Sequence, residues 1–372
     1  MKANRIFNRF IVSVPAIIII CCITFASPCQ GGDVDKTAVK AYELRMQGKV
    51  DEAKRLLDQA ISENPDNACA HYELARIQLH VALGTGNVAE MISMISNAQK
   101  SIDKATALEP QNIIYHLFAG HVYYLQAYYG LMTGNKSKEQ FDKVIGAYET
   151  VLNIRPDYPQ VALYLVELHS QFPEDAGGNA SEAERYAKHL DEKDNVLAAK
   201  ARSILLPQEI DKVEYWQDVL KKNKGNADVL EELAKAYLGA GKVGDAVSYF
   251  EKAIEIDPEK AYLFLDLSIY YSFQGMQAQG NKELLESCIE KGDAALTRYL
   301  DSNPIQPMRA YALGVKAKYN FISGHQEQGQ ALLKEAMMLD PHFSKATAAP
   351  DPVFFTRPDE ISQRHRYLLR PF

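Results

Sequence analysis

The sequence predicts an all-α solenoid of about eight helix-turn-helix repeats, and three observations carry that prediction. Between residues 227 and 258 the apolar positions Leu230, Leu233, Ala234 and Tyr237 recur at helical spacing. Gly239 and Gly241 interrupt them, and a second stripe of Ala246, Phe250 and Ala253 runs to Pro258. The small residues Ala234, Ala246 and Ala253 let two antiparallel helices approach closely, with Tyr237 and Phe250 filling the space beside them. Third, the same arrangement recurs along the chain with a closing proline at Pro65, Pro110, Pro156, Pro258, Pro304 and Pro341. A core that grows along one axis in this way accommodates 372 residues without separate globular domains.

In chain order, Asp35–Pro65 is the first repeat, with Gly48 at its turn and Ala53, Leu57 and Ala60 on its second helix. The second begins near Cys69, with Leu74 and Ala75 at packing positions, and closes on Ala105 and Pro110. The third carries Ala119, Gly120 and Tyr123, then Tyr148 and Pro156. A weaker fourth runs from Gln160 through Gly177-Gly178 to Ala183, Ala187 and Leu190. Val196–Leu206 and Glu209–Lys222 form a fifth pair around Pro207, and residues 227–258 are the sixth. The seventh has Phe264, Leu267 and Tyr271, and the eighth Leu313, Ala317, Gly324, Leu333 and Ala336.

The motif resembles the tetratricopeptide repeat, whose pattern W-x2-L-G-x2-Y…A-x3-F…P spans 34 residues. Leu230 stands at the Trp position and Ala234 at the Gly position. The resemblance implies a right-handed superhelix whose concave face holds a protein or peptide partner, and a scaffold or adaptor instead of an enzyme. Chaperone-binding members of the family grip a C-terminal carboxylate with Lys and Asn. The matching positions here are Ala38 and Tyr42, Tyr72 and Arg76, Leu117 and His121, and Glu231 and Lys235, so that clamp is missing.

Closing prolines 45 or 46 residues apart (Pro65 to Pro110, Pro110 to Pro156, Pro258 to Pro304) exceed the 34-residue period. Short Gly-containing turns at 84–87 and 133–135, with helix-forming stretches on both sides, favour longer helices over a loop of the same length. Tall repeats beside short ones raise a wall along one rim of the solenoid.

Met1–Ala26 places Lys2, Arg5 and Arg9 ahead of the apolar run Ile11–Phe25, followed by Thr24-x-Ala26 as a cleavage site. Residues 1–30 are therefore expected to be a signal peptide or N-terminal anchor, residues 34–342 the solenoid, and 343–372 an extended tail. In that tail Ile361, His365 and Leu368 share one face of a short capping helix. The chain is expected to be exported, periplasmic or secreted, with membrane association only through the N-terminal segment. Pro28 before Cys29 speaks against lipidation. Cys69 and Cys288 are about five repeats apart and are expected to be free, buried thiols.

A formal net charge of −7 argues against nucleic acid as a partner. Gly130-x3-Gly134-Asn135-Lys136-Ser137 lacks the spacing and the preceding strand of a phosphate loop. His116 and His121 are five apart, and Cys69 and His71 point to opposite sides, so no metal or cofactor is expected. Glu231-Glu232 and Glu174-Asp175 read as solvated surface charge. Asn135-Lys136-Ser137 and Asn179-Ala180-Ser181 are glycosylation sequons that would matter in a eukaryotic source.

The candidate site is a pair of apolar stripes separate from the packing positions. Leu117, His121, Tyr124 and Tyr128 follow i, i+4, i+7, i+11 on the third repeat, and Tyr262, Leu265, Ile269 and Phe273 follow i, i+3, i+7, i+11 on the seventh. Two uses are open to them: additional core for longer helices, or the wall of a groove for a partner. A small apolar-ligand carrier is the alternative function, by resemblance to the T component of TRAP-type solute transporters. An open concave groove would favour the scaffold, and an enclosed apolar pocket between tall repeats the carrier.

Overall fold

The computed structural model describes residues 35–346 apart from 86, 135–137, 192–194, 208 and 279. The expected signal peptide with Cys29, the capping helix around Ile361–Leu368 and the sequon at Asn135 lie outside the described residues.

Sixteen α-helices and no strand occur among the described residues, and they form eight consecutive pairs. The pairs are α1 (Lys36–Met46) with α2 (Val50–Glu63), α3 (Ala68–Leu83) with α4 (Val88–Leu108), and α5 (Ile113–Met132) with α6 (Lys138–Ile154). Next come α7 (Pro159–Gln171) with α8 (Ala180–Asp191), α9 (Asn195–Leu205) with α10 (Lys212–Lys222), and α11 (Ala227–Gly239) with α12 (Val243–Ile256). Last are α13 (Leu263–Met276) with α14 (Lys282–Asp301) and α15 (Gln306–Ile322) with α16 (Gln326–Leu339). The fold is the all-α solenoid of eight helix pairs that the sequence predicts.

Local chemistry starts these helices. Asn67, Asn112 and Asn226 cap α3, α5 and α11, their side-chain oxygens accepting from the N–H groups of Ala70, Ile114 and Asp228 at 2.9, 3.2 and 2.9 Å. Each such cap contributes about 1 kcal/mol. Two of the caps sit two residues after a closing proline, at Pro65 and Pro110, where the chain has just left one helix.

The extra length of the tall repeats is helix. Helices α4 and α14 have 21 and 20 residues against 14 in α2 and 14 in α12. At 1.5 Å per residue, α4 is about 10 Å taller than α2. The sixth repeat packs as its pattern predicts. Leu233, Ala234, Ala246, Phe250 and Ala253 have no exposure, Tyr237 is buried, and exposed Pro258 opens a short 3-10 turn. The fifth pair is splayed: α9 lies mainly against α7 and α8, whereas α10 lies against α11. Large side chains bridge the gap, Trp216 Nε1 donating to Ser203 Oγ at 3.0 Å and the Tyr215 hydroxyl to the Ala199 carbonyl at 2.8 Å. Cys69 and Cys288 are buried and not joined in a disulfide.

The array closes on itself. Phe343–Lys345 forms a 3-10 turn on α15, so the packed body continues past residue 342, where an extended tail was expected to begin. From there Phe343 stacks on His80 of α3 with ring centroids 4.0 Å apart, and both side chains are fully buried. His80 Nε2 lies 2.9 Å from Asp340 Oδ2. Two glycines permit the approach. A Cβ on Gly48, in the α1–α2 turn, would meet the Leu339 carbonyl at 2.3 Å, and one on Gly314 of α15 would meet the Ser344 carbonyl at 2.1 Å. The eighth repeat is thereby held against the first two, and one continuous apolar cluster includes Tyr72, Tyr124, Leu265, Tyr311 and Phe343.

Candidate functional site

The structure brings Tyr124 and Leu265 into that shared core and packs Leu117, Tyr128, Tyr262 and Ile269 against it. On α5, Tyr124 is 2% exposed and His121 8%, while Leu117 and Tyr128 are half-buried. Tyr124 stacks on Tyr128 at 5.9 Å and meets Phe172, just beyond α7, edge-on at 6.1 Å. On α13, Leu265 is 2% exposed and Ile269 and Phe273 are half-buried, as is Tyr262 at the end of the 3-10 turn before it. The expectation of a free groove wall is corrected at Tyr124, His121 and Leu265. A tall helix presents additional inner-face turns to its neighbour, and a closed array leaves them against protein. Burial holds the His121 imidazole down at about 4.

The polar inner face of the sixth repeat is cross-linked instead of solvated, which corrects the reading of Glu231-Glu232. Glu231, 2% exposed, accepts from Lys260 Nζ at 2.8 Å and from the Tyr262 hydroxyl at 2.8 Å, and pairs with Lys235 at 2.8 Å. Glu232 pairs with Lys200 at 3.2 Å. Beside this network burial pushes the Asp266 carboxyl up to about 7. A comparable device sits under the clamp-matched positions of the first two repeats. Glu73 accepts from Arg45 Nε and Arg76 Nη1, both at 2.9 Å, with all three side chains fully buried and Tyr42 lying over both guanidinium groups. Removing one member of such a buried group leaves uncompensated charge, whereas the intact group contributes modestly to stability. These charges hold helices together.

Open space occurs elsewhere, in a cleft of about 650 Å³ between α14, α15 and α16. Ile289, Tyr319, Ala331 and Leu332 form its apolar wall, and Glu286, Glu290, Asp293, Lys316 and His325 are its ionisable groups. The 20-residue α14 and the 14-residue α16 both line the cleft, with α15 packed against each of them. Tyr319 is fixed in the wall by donating to the Ser268 carbonyl at 2.9 Å. Lys316 is occupied, its ammonium donating to Asp293 Oδ2 and, at 2.9 Å, to Thr297 Oγ1. Asp293 Oδ1 is shielded from solvent with no hydrogen-bond partner among the described residues. An apolar wall with surplus carboxylates suits an apolar side chain flanked by a cation. The groove expected from the sequence lies on other residues, and nothing in the sequence singled out this cleft. No motif pointed to Asp293 or Glu290, because repeat patterns register packing positions only.

Among the described residues no group of three His, Cys, Asp or Glu side chains could hold a metal ion, and no helix is long and apolar enough to cross a membrane.

The tetratricopeptide repeat family pattern matches residues 44–81 and, in a second form, residues 227–260. The chain carries tetratricopeptide repeats. A curated relative, the TPR repeat-containing protein YpiA of Bacillus subtilis (strain 168), is 23% identical over 246 residues, 56% of this chain and 54% of its own length. The chain thus spans about half of that relative. A tetratricopeptide repeat protein from Parabacteroides merdae ATCC 43184 is similar over 82% of this chain and 98% of its own, at 16% identity and a TM-score of 0.39. A thermophilic TPR protein in Thermus thermophilus covers 65% of this chain and 98% of its own, at 18% identity and a TM-score of 0.35. In this tetratricopeptide-repeat chain the cleft lies between the second helix of the seventh repeat and both helices of the eighth. The two matched segments lie outside it. Tetratricopeptide-repeat proteins generally act as protein-interaction scaffolds.

Proposed function

We propose that this chain is a non-catalytic scaffold in an exported compartment, and that it holds a partner protein by a basic and apolar segment seated in the cleft between the seventh and eighth repeats. The observation that carries this reading is the composition of the cleft. Its wall is apolar, its lysine, Lys316, is already tied to Asp293, Glu286 is paired with Lys282 at 3.3 Å, and Glu290 has an exposed carboxylate beside them. Such a surface complements a segment whose leucine-like side chains insert while arginine or lysine pairs at the rim. What speaks against an apolar-ligand carrier is the space between the tall repeats, which Tyr115, Phe118 and Tyr124 fill at no more than 2% exposure. Export rests on the charged-then-apolar pattern of Met1–Ala26, and sequencing the mature N-terminus tests it.

The binding test uses a fluorescein-labelled peptide of repeated Arg-Leu-Leu triplets and reads anisotropy against the full chain. Glu290→Lys should weaken binding about ten-fold, equivalent to about 1.4 kcal/mol. With Arg364, Arg366 and Arg370 replaced by Glu in both proteins, so that the chain's own basic segment does not compete, a peptide that binds the Glu290→Lys variant as tightly as its Glu290 parent overturns the placement of the site.

A further inference from the structure

We infer that the chain's own segment Arg364–Phe372 occupies this same cleft and competes there with the partner. The inference rests on the reading of the cleft as a docking site for basic and apolar peptides, and it supplies that site's regulation. Three observations lead to it. The segment reads Arg-His-Arg-Tyr-Leu-Leu-Arg-Pro-Phe, with Arg364, Arg366 and Arg370 interleaved with Tyr367, Leu368, Leu369 and Phe372 and no acid after Glu360. Within an otherwise acidic chain it has the composition that the cleft complements: cations for Glu290 and Asp293 Oδ1, with Glu286 already paired to Lys282, and apolar side chains for Ile289 and Leu332.

The second observation is where the described chain leaves the repeats. The Ala346 carbonyl accepts from Lys318 Nζ at 3.3 Å on α15, two residues from Lys316 and so about 200° around that helix from it, and the chain must pass around α15 to enter the cleft. The third is reach. From 346 to 364 the chain can extend to about 60 Å at 3.3 Å per residue, more than the length of any helix bordering the cleft. A tethered segment of that length acts at an effective concentration near the millimolar range. A partner must therefore displace it, and binding is reduced by the fraction of clefts already filled.

The test uses the full chain and a fluorescein-labelled synthetic peptide of the sequence Arg364–Phe372. In the full-length triple variant Arg364→Glu, Arg366→Glu, Arg370→Glu the tethered segment no longer fits, and the labelled peptide should bind at least ten-fold tighter than to the wild type. Adding Glu286→Lys and Glu290→Lys to the triple variant should abolish that gain. A peptide keeping its three arginines but with serine at the four apolar positions should bind neither protein tightly. Equal affinity of the labelled peptide for wild type and triple variant overturns the inference. Equal affinity for the apolar and serine peptides overturns it too, since charge alone would then explain binding. The Arg-Leu-Leu peptide separates the two readings. If it binds both proteins equally, only the self-competition fails; if it binds neither, the docking site itself fails.

Discussion

Phe343→Ala tests whether the array is closed in energy as well as in geometry. Phe343 has no exposure and stacks on His80 of the second repeat, so truncation removes a buried ring at the junction between the two ends. Losing a buried aromatic costs about 3–5 kcal/mol, including the stacking it made. With a urea dependence of about 3 kcal/mol per molar, the midpoint should fall by about 1 M or more. The assay is unfolding followed by fluorescence of Trp216, the single tryptophan, which is 2% exposed in α10 and belongs to a different apolar cluster from Phe343. In an open solenoid the damage would stay near the ends, because each repeat contacts only its neighbours. A closed array carries it around to Trp216. Gly314→Ala strikes the same junction from the opposite side, since its Cβ would sit 2.1 Å from the Ser344 carbonyl, and should lower the Trp216 midpoint as well. If both variants leave that midpoint unchanged while amides in α3 lose hydrogen-exchange protection, closure is a contact without cooperative consequence.

Acid should destabilise the fold. The folded His121 imidazole titrates at about 4 because it is buried, so as pH falls from about 6.5 toward 4 the unfolded chain takes up a proton that the folded chain refuses. That contribution amounts to about 3 kcal/mol and is fully present only above about pH 6.5; in His121→Gln, urea midpoints should flatten across this window. His80 is held low by burial, and Asp340 is kept low, against its own burial, by His80 and by the N–H groups of Phe343 and His342; both lose stability in the same direction. Tyr124→Ala should cost about 3–5 kcal/mol, whereas half-buried Tyr128→Ala should cost clearly less, read from melting of the two single variants. Ala246→Leu must fit a fully buried helix-helix contact and should lower stability by about 1–3 kcal/mol; an unchanged denaturation midpoint would contradict close packing there.

The sequence by itself determined the repeats, their number and their heights, because each is written in local terms. Helical spacing at Leu230, Leu233 and Tyr237, small residues at Ala234 and Ala246, and Gly and Pro punctuation all act within about fifty residues. Those same signals made α4 and α14 long. Tertiary structure decided what those helices enclose and which inner-face residues stay open. Tyr124 and Tyr128 belong to one stripe of identical residue type, yet only Tyr124 is fully buried, because burial depends on the neighbouring repeat and not on spacing within α5. The meeting of His80 with Asp340 and Phe343 depends on small rotations accumulated over eight repeats, and no single repeat pattern contains that sum. The same holds for the charges. Glu231 looked solvated from its place on a polar helix face and became a hub once Lys260 and Tyr262 of the following repeat came within 2.8 Å.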